Sequence, residues 1–181
     1  MFNGQRLSDI PKQYFDIYPK SVFFEQHDHY IYYNKKGILV DDKDKTLKNL
    51  LKLNRISGNI NYYLWSKSIR KGNFSFSYGS RIHGNIIALQ NGIPSFVKVI
   101  DGRVREIVEF YNIPNSMMYR FDESTDDLFD LYNTIDVSIY NETRKKRFLS
   151  FHNWLEDKGI DNVLTDNYEF KEYLAALNYE G

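Results

Sequence analysis

The chain has 181 residues, which suffices for one domain with a buried core or for one lobe of a larger protein. Lysine and arginine number 24 together, as do aspartate and glutamate, so no net charge favours nucleic acid or an anionic membrane. The lack of cysteine excludes disulfides and thiolate chemistry. No apolar run approaches the roughly 18 residues of a spanning helix. We therefore expect a cytoplasmic protein with no membrane span and no nucleic-acid partner.

Short apolar or alternating runs predict strands at five places along the chain. These runs are Ser21–Phe24, Tyr30–Tyr33, Gly37–Val40, Phe74–Tyr78 and Ser95–Ile100. The signal is weakest at the two ends, in Met1–Tyr18 and Thr165–Gly181. We expect both ends to be loosely held.

Apolar residues spaced three and four apart predict helices between and after these strands. The patterns are Leu47, Leu50 and Leu51; Val104, Ile107, Val108 and Tyr111; Leu128, Leu131, Tyr132 and Ile135, after a cap-like Ser124 and Thr125; and Phe148, Phe151 and Leu155, ending near Gly159. Strands that alternate with helices predict an α/β fold, a Rossmann-like parallel sheet with flanking helices. We expect one lobe over 1–164, followed over 165–181 by a C-terminal tail that could form a helix. Ligands are expected at the carboxyl ends of the strands.

One such carboxyl end carries an arginine and a histidine two residues apart. The alternating run that ends at Tyr78 leads into Gly79, and the stretch that begins near Ile82 reads as a helix that stops at "NG", Asn91 and Gly92. Residues two apart on a helix point to different sides, so Arg81 and His83 can meet one ligand only if Arg81 lies in the turn. Gly79 permits such a turn.

The chemistry of this turn suits an anion. Helix N-terminal amides from Ile82 to Gly84 attract phosphate or carboxylate, and Gly84 has no side chain to obstruct the approach. Arg81 adds a bidentate contact, and His83 can exchange a proton near neutral pH. The alternative interpretation is structural: an arginine that forms a salt bridge across a loop and a histidine that caps a neighbouring carbonyl.

The stretch from Gly79 to Pro114, "GSRIHGNIIALQNGIPSFVKVIDGRVREIVEFYNIP", resembles the signature region of the polysaccharide pyruvyl transferase family. Three blocks carry the resemblance: Gly-Ser-Arg-x-His-Gly-Asn, Ala-Leu-x-x-Gly-x-Pro, and Asp-x-Arg-x-Arg-Glu followed by a helix. They occur in order and cover about a fifth of the chain.

The resemblance implies a function. Members of the family transfer the pyruvyl group of phosphoenolpyruvate to a sugar of a cell-surface glycan as a ketal, with no cofactor and no metal. Their fold is similar to the two-lobed B-type glycosyltransferases, and this block belongs to the C-terminal lobe. By the same resemblance, His83 is the catalytic acid. The implied substrate-binding residues are Ser80, Arg81, Ile82, Gly84, Asn85, Arg103, Arg105 and Glu106. Asp101 is expected to cap the following helix.

The sequence also departs from the family pattern. The usual N-terminal Gly-Asn-x-Gly-Asp element is missing, so we expect a C-terminal half: a truncated gene product, an expressed fragment, or one subunit of a split enzyme whose companion chain supplies the N-terminal lobe. Such a half is not expected to complete catalysis alone. The expected partners are then phosphoenolpyruvate and a glycan or lipid-linked sugar acceptor. Two alternatives stay open: a B-type glycosyltransferase half that uses a sugar nucleotide, and a non-catalytic, truncated anion-binding remnant.

Two other motifs have structural interpretations. His27 and His29, in "HDH", share one face of an extended strand, but no other histidine or cysteine cluster supplies the further ligands of a metal site. The basic run Arg144–Arg147 is expected to be a solvated helix face.

Overall fold

The computed structural model describes residues 1–4, 9–25, 49–50, 52–58 and 61–160, and the chain divides into two compact units, 1–136 and 137–181. In the first unit the strands are β1 Phe2–Asn3, β2 Phe23–Glu25, β3 Ile56–Gly58, β4 Ser77–Gly79 and β5 Ser95–Val97. Its helices with described bounds are α1 Lys12–Ile17, α2 Tyr62–Gly72, α3 Ile82–Gln90, α4 Gly102–Tyr111 and α5 Leu128–Thr134. The second unit contains α6, Ser138–Asp157.

The five strands form one parallel sheet in the order β3-β2-β1-β4-β5. Phe2 of β1 pairs with Phe23 on one side and with Tyr78 on the other. The chain therefore builds outward from β1 through β2 to β3, and then returns to the other side of β1 for β4 and β5. The prediction of an α/β fold with a parallel sheet and flanking helices is confirmed.

Two hydrophobic clusters cover the two faces of the sheet. The first includes residues of α1 and α5, and its members are Phe2, Ile10, Tyr14, Phe15, Phe23, Leu50, Tyr78, Phe96, Leu128 and Leu131. The second includes residues of α2 and α3, and its members are Met1, Phe24, Trp65, Ile69, Ile87, Ala88 and Ile93. Phe23 and Phe24 fall in different clusters because successive side chains of a strand point to opposite faces.

The N-terminal segment was predicted to be loosely held, and this prediction is wrong for β1. Met1 and Phe2 are buried, and β1 is the middle strand of the sheet. A central parallel strand is buried on both faces, so it shows no alternation of polar and apolar residues, and two residues are too few to give a pattern. The sequence signal also missed β3, which has a single large apolar residue, Ile56.

The other strand predictions are confirmed where the structure describes them. Ser21–Phe24, Phe74–Tyr78 and Ser95–Ile100 overlap β2, β4 and β5, although each observed strand has only three residues. The predicted strands Tyr30–Tyr33 and Gly37–Val40 lie outside the described residues, as do Leu47, Leu51, His27 and His29 and the proposed tail.

The helices α4, α5 and α6 confirm three of the predicted patterns, but the start of α5 differs. Its N-cap is Asp127, whose carboxylate accepts from the Phe129 amide at 2.6 Å. Ser124 instead donates its hydroxyl to Asp122 Oδ1 at 2.7 Å, within the preceding turn. In the second unit α6 includes Arg144–Arg147 and is followed by Gly159 with φ of +62°, so the predicted end holds.

Candidate functional site

The strand order predicts where a ligand would bind, at the carboxyl ends of the strands. Successive strands leave β1 in one direction and then resume on its other side at β4, so the order reverses between β1 and β4. In open α/β sheets, ligands bind outside the carboxyl ends of the strands at such a reversal, because the connections diverge there and leave a gap. Arg81 and His83 directly follow β4, so they lie at this position.

Gly79 brings the turn after β4 against β1. Its φ is +148°, and a Cβ at this position would lie 1.8 Å from the backbone oxygen of Asn3. The Arg81 amide donates to the same oxygen at 3.2 Å. Only glycine can occupy this position without moving the backbone of β1. The glycine therefore fixes the turn at the central strand of the sheet.

A buried asparagine holds the shape of this turn. The Asn85 side-chain amide donates to the backbone oxygens of Gly79 and Arg81 at 3.1 and 3.0 Å. Its oxygen accepts from the Ser77 hydroxyl at 2.7 Å, and Ser77 accepts in turn from Asn3 Nδ2 at 2.7 Å. The predicted ligand contact at Asn85 stays a prediction, but its side chain is fully buried and bonded within the protein. Its evident task is to position the turn.

The predicted arginine and histidine lie on either side of the start of α3. Arg81 is the N-cap residue with extended backbone, and it is half-buried, whereas His83 lies in the first helical turn and is exposed. Arg81 therefore lies in the turn, which is the condition for its side chain and that of His83 to reach one ligand.

The first turn of α3 presents backbone donors toward this end of the sheet. Among the described residues no side chain caps the helix, and its first turn has no acidic residue. The amides of Ile82, His83 and Gly84 precede the first intrahelical donor, which is Asn85 to the Arg81 oxygen at 3.3 Å. These amides and the helix dipole favour an anion.

Ser80 adds a buried hydroxyl next to these groups. The residue is 4% exposed, and its Oγ has no hydrogen-bond partner among the described residues. A buried hydroxyl without a partner is unfavourable by about 1 to 3 kcal/mol, so such groups in folded proteins usually have a bound water or ligand.

The second predicted group lies on α4, which begins after β5 at the same edge of the sheet. Asp101 caps this helix as predicted, since its carboxylate accepts from the Val104 amide at 2.8 Å. Arg103, Arg105 and Glu106 are exposed. The Arg105 guanidinium is paired with Glu109 on its own helix at 2.9 Å.

Sequence reasoning missed a polar cluster beside the turn. Lys98 Nζ donates to Glu123 Oε2 at 2.7 Å, and the Tyr78 hydroxyl donates to the other oxygen of that carboxylate. The Tyr14 hydroxyl donates to the Glu123 backbone oxygen at 3.3 Å. Burial raises the pKa of Tyr78, and its hydrogen bond to Glu123 adds to this shift. The sequence did offer one signal for this cluster: Lys98 directly follows a strand that ends next to the predicted anion site.

A metal site needs several ligand side chains close together, such as those of acidic residues and histidine. Within the described ranges, no three or more of them come together in a way that could hold a metal ion. Nor does any helix in those ranges combine the length and apolarity needed to cross a membrane.

The arrangement can hold a small phosphorylated anion beside an exposed imidazole. Backbone donors at a helix N-terminus and a guanidinium are groups that bind phosphate. No protein-family model, curated protein or solved structure matches this chain.

Proposed function

We propose that the crevice beside β4 binds phosphoenolpyruvate and that the chain is the donor-binding lobe of a pyruvyl transferase. The product is a pyruvate ketal on a sugar of a cell-surface glycan. One observation carries the proposal: Arg81, the uncapped start of α3 and His83 all follow β4 at the reversal of strand order. The Gly79–Pro114 resemblance supplies the identity of the anion.

The chemistry assigns a task to each group. The oxygen of one sugar hydroxyl bonds to C2 of phosphoenolpyruvate while C3 gains a proton. The oxygen of a second hydroxyl then bonds to C2, the bond from C2 to the phosphate oxygen breaks, and phosphate leaves with a proton. His83 donates the proton to C3 and recovers one from the first hydroxyl. Arg81 and the α3 amides stabilise the charge on the departing phosphate.

The remaining parts of the site follow from this assignment. Ile82 and Gly84 line the phosphate, Ser80 contacts the same substrate, Asn85 holds the turn, and Arg103, Arg105 and Glu106 face the acceptor. That acceptor is a glycan or a lipid-linked sugar, and a companion chain supplies the lobe that closes on it. The lobe corresponds to the C-terminal half of a B-type glycosyltransferase fold and needs no cofactor.

A second candidate is the transfer of a sugar from a sugar nucleotide. The observation that favours it is the strand order β3-β2-β1-β4-β5, which is the order of dinucleotide-binding sheets as far as it extends. The same turn would then hold the diphosphate. The two candidates differ in the ligand that stabilises the protein.

The test is the shift in melting temperature of the full chain with phosphoenolpyruvate, inorganic phosphate, pyruvate and a sugar nucleotide, each over a concentration series. A ligand that binds only the native state raises the melting temperature, so the size of the shift ranks the affinities. We expect phosphoenolpyruvate to give the largest shift and Arg81→Ala to remove it.

The matched control is Arg70→Ala. Arg70 lies in the last turn of α2, which runs from the carboxyl end of β3 back toward the amino end of β4, so this variant removes an arginine charge at the opposite edge of the sheet. The proposal fails if the sugar nucleotide stabilises more strongly than phosphoenolpyruvate, which indicates glycosyl transfer. It also fails if no ligand acts, because the chain alone then has no working anion pocket.

A further inference from the structure

Lys98 lies beside the turn that holds Arg81. Gly79 of β4 pairs with Val97 of β5, and the Lys98 amide donates to the Gly79 oxygen at 3.0 Å. In a parallel sheet neighbouring strands run about 4.8 Å apart. Ser80 and Lys98 therefore leave the sheet side by side, at the edge where the first turn of α3 begins.

Glu123 holds the Lys98 side chain in place. Its two carboxylate oxygens accept from Lys98 and Tyr78, and Tyr78 is a buried residue of β4 with its ring stacked on Phe96 of β5. The carboxylate is thus anchored to the sheet, and the ammonium is anchored to the carboxylate. An anchored cation loses less rotamer entropy when it binds a ligand than a freely moving lysine does.

The ammonium group still has donors for a ligand. A lysine ammonium has three N–H donors, and Glu123 takes one of them. The Lys98 side chain is 38% exposed, so the group is not enclosed by its ion pair. The Ser80 hydroxyl, which directly follows the neighbouring strand β4 and has no hydrogen-bond partner among the described residues, provides an additional donor.

Two separate groups of donors therefore lie at the carboxyl ends of β4 and β5. The first is the start of α3 with Arg81, which suits a phosphate. The second is Lys98 with Ser80, a compact charge and a hydroxyl, which suits a smaller anion. Phosphoenolpyruvate carries both a phosphate and a carboxylate, whereas inorganic phosphate carries only the first kind of group.

We propose that Lys98 is a specificity-determining residue that binds, with the Ser80 hydroxyl, the carboxylate of phosphoenolpyruvate, and that Glu123 positions it. The inference rests on the proposed function, because the phosphate is assigned to Arg81 and α3. Lys98 then separates a phosphorylated carboxylic acid from phosphate alone. Glu123 acts through Lys98 and does not contact the ligand.

The experiment measures the affinities of phosphoenolpyruvate and inorganic phosphate for the full chain by calorimetry. In Lys98→Met we expect about a tenfold loss for phosphoenolpyruvate and less than about a twofold change for phosphate, since one charge-assisted hydrogen bond is lost. Arg81→Ala weakens both ligands. Lys71→Met, which removes a lysine from the last turn of α2 at the opposite edge, changes neither.

Two further variants separate binding from folding. Lys98→Met leaves the half-buried Glu123 without its cation, so the double variant Lys98→Met with Glu123→Gln removes both charges. We expect this double variant to have the wild-type melting temperature and the same tenfold loss of phosphoenolpyruvate affinity as Lys98→Met. Glu123→Gln alone keeps the ammonium but releases it, so we expect a smaller loss that is confined to phosphoenolpyruvate.

The outcomes distinguish this inference from the proposed function. If the wild-type chain binds phosphoenolpyruvate through Arg81 but Lys98→Met binds it equally well, the Lys98 proposal is overturned and the proposed function stands. Equal losses for phosphoenolpyruvate and phosphate in Lys98→Met also overturn it. If the wild-type chain does not bind phosphoenolpyruvate, the proposed function falls and the assignment of Lys98 falls with it.

Discussion

Two strand-to-helix junctions lie at the same edge of the sheet and are built in opposite ways. The β4–α3 junction starts with two buried residues, Gly79 and Ser80, needs a glycine at Gly79 and is held from inside by Asn85. The β5–α4 junction is exposed, and the carboxylate of Asp101 caps its helix from outside. The first junction is held by several buried contacts, and the second by one cap at an exposed residue. A fixed turn suits recognition of a constant group such as phosphate, and a solvated helix start suits a variable one.

The largest effect is expected at Gly79. In Gly79→Ala the new methyl group would meet the Asn3 oxygen, and the backbone would keep a φ of +148°. Clash and strain together should lower the free energy of unfolding by about 4 kcal/mol, measured by urea denaturation. Gly92→Ala is the matched control, since φ there is +78° but a Cβ would meet no other atom. For this variant we expect the free energy of unfolding to fall by about 1 kcal/mol. Equal losses at the two glycines would show that the contact with β1 does not matter.

The second effect concerns Asn85. Asn85→Ala removes the buried partner of the Ser77 hydroxyl and of the Gly79 and Arg81 backbone oxygens. We therefore expect the free energy of unfolding to fall by about 3 kcal/mol and phosphoenolpyruvate to bind more weakly. The control is Asn91→Ala at the other end of α3, where the side chain is half-buried and bonds Ser66 and Ile87. For Asn91→Ala we expect the free energy of unfolding to fall by about 1 kcal/mol and the ligand affinity to stay unchanged. An Asn85 variant with wild-type affinity would separate the buried network from the site.

The third effect is at the other junction. Asp101→Ala removes the cap of α4 and should lower the free energy of unfolding by about 1 kcal/mol, whereas Asp101→Asn should restore most of it. Thermal denaturation of the three proteins in parallel measures the difference. A loss comparable to that of Asn85→Ala would contradict the contrast between the two junctions.

The smallest effect on stability is expected at Arg105. Its ion pair with Glu109 is exposed on one helix, so Arg105→Ala should change the free energy of unfolding by less than about 0.5 kcal/mol. Any role of this arginine in binding must then appear as a change in ligand affinity at unchanged stability. Calorimetry with phosphoenolpyruvate tests that role, and Arg120→Ala, at another exposed arginine of the same unit, is the control.

Local signals in the sequence predicted the parts of the site that depend on local structure. The Gly79 turn, the position of Arg81 before α3 and the Asp101 cap each involve residues within four positions of one another, and turn and cap preferences act at that range. The cap of α5 was predicted at Ser124 and Thr125, but the structure has it at Asp127. The prediction was wrong because several side-chain acceptors compete within a few residues.

The missed parts depend on contacts between distant residues. Asn85 resembles an exposed polar residue in the sequence, and only the packing of α3 on the sheet buries it beside Ser77. The Lys98 and Glu123 pair joins positions 25 residues apart. β1 escaped detection because a two-residue strand is identified only by its neighbours in the sheet.

The central position of β1 also bears on how the chain folds. Its side-chain contact from Asn3 to Ser77 joins residues 74 positions apart, and the candidate site lies at this meeting point. Closing so long a loop has an entropic cost before any contact forms, and proteins rich in such contacts fold slowly. Until β4 arrives, one edge of β1 stays unpaired and open to other chains. The proposed anion site is complete only when β4 pairs with β1, so we expect a ligand-binding signal in a refolding experiment to appear together with the last phase.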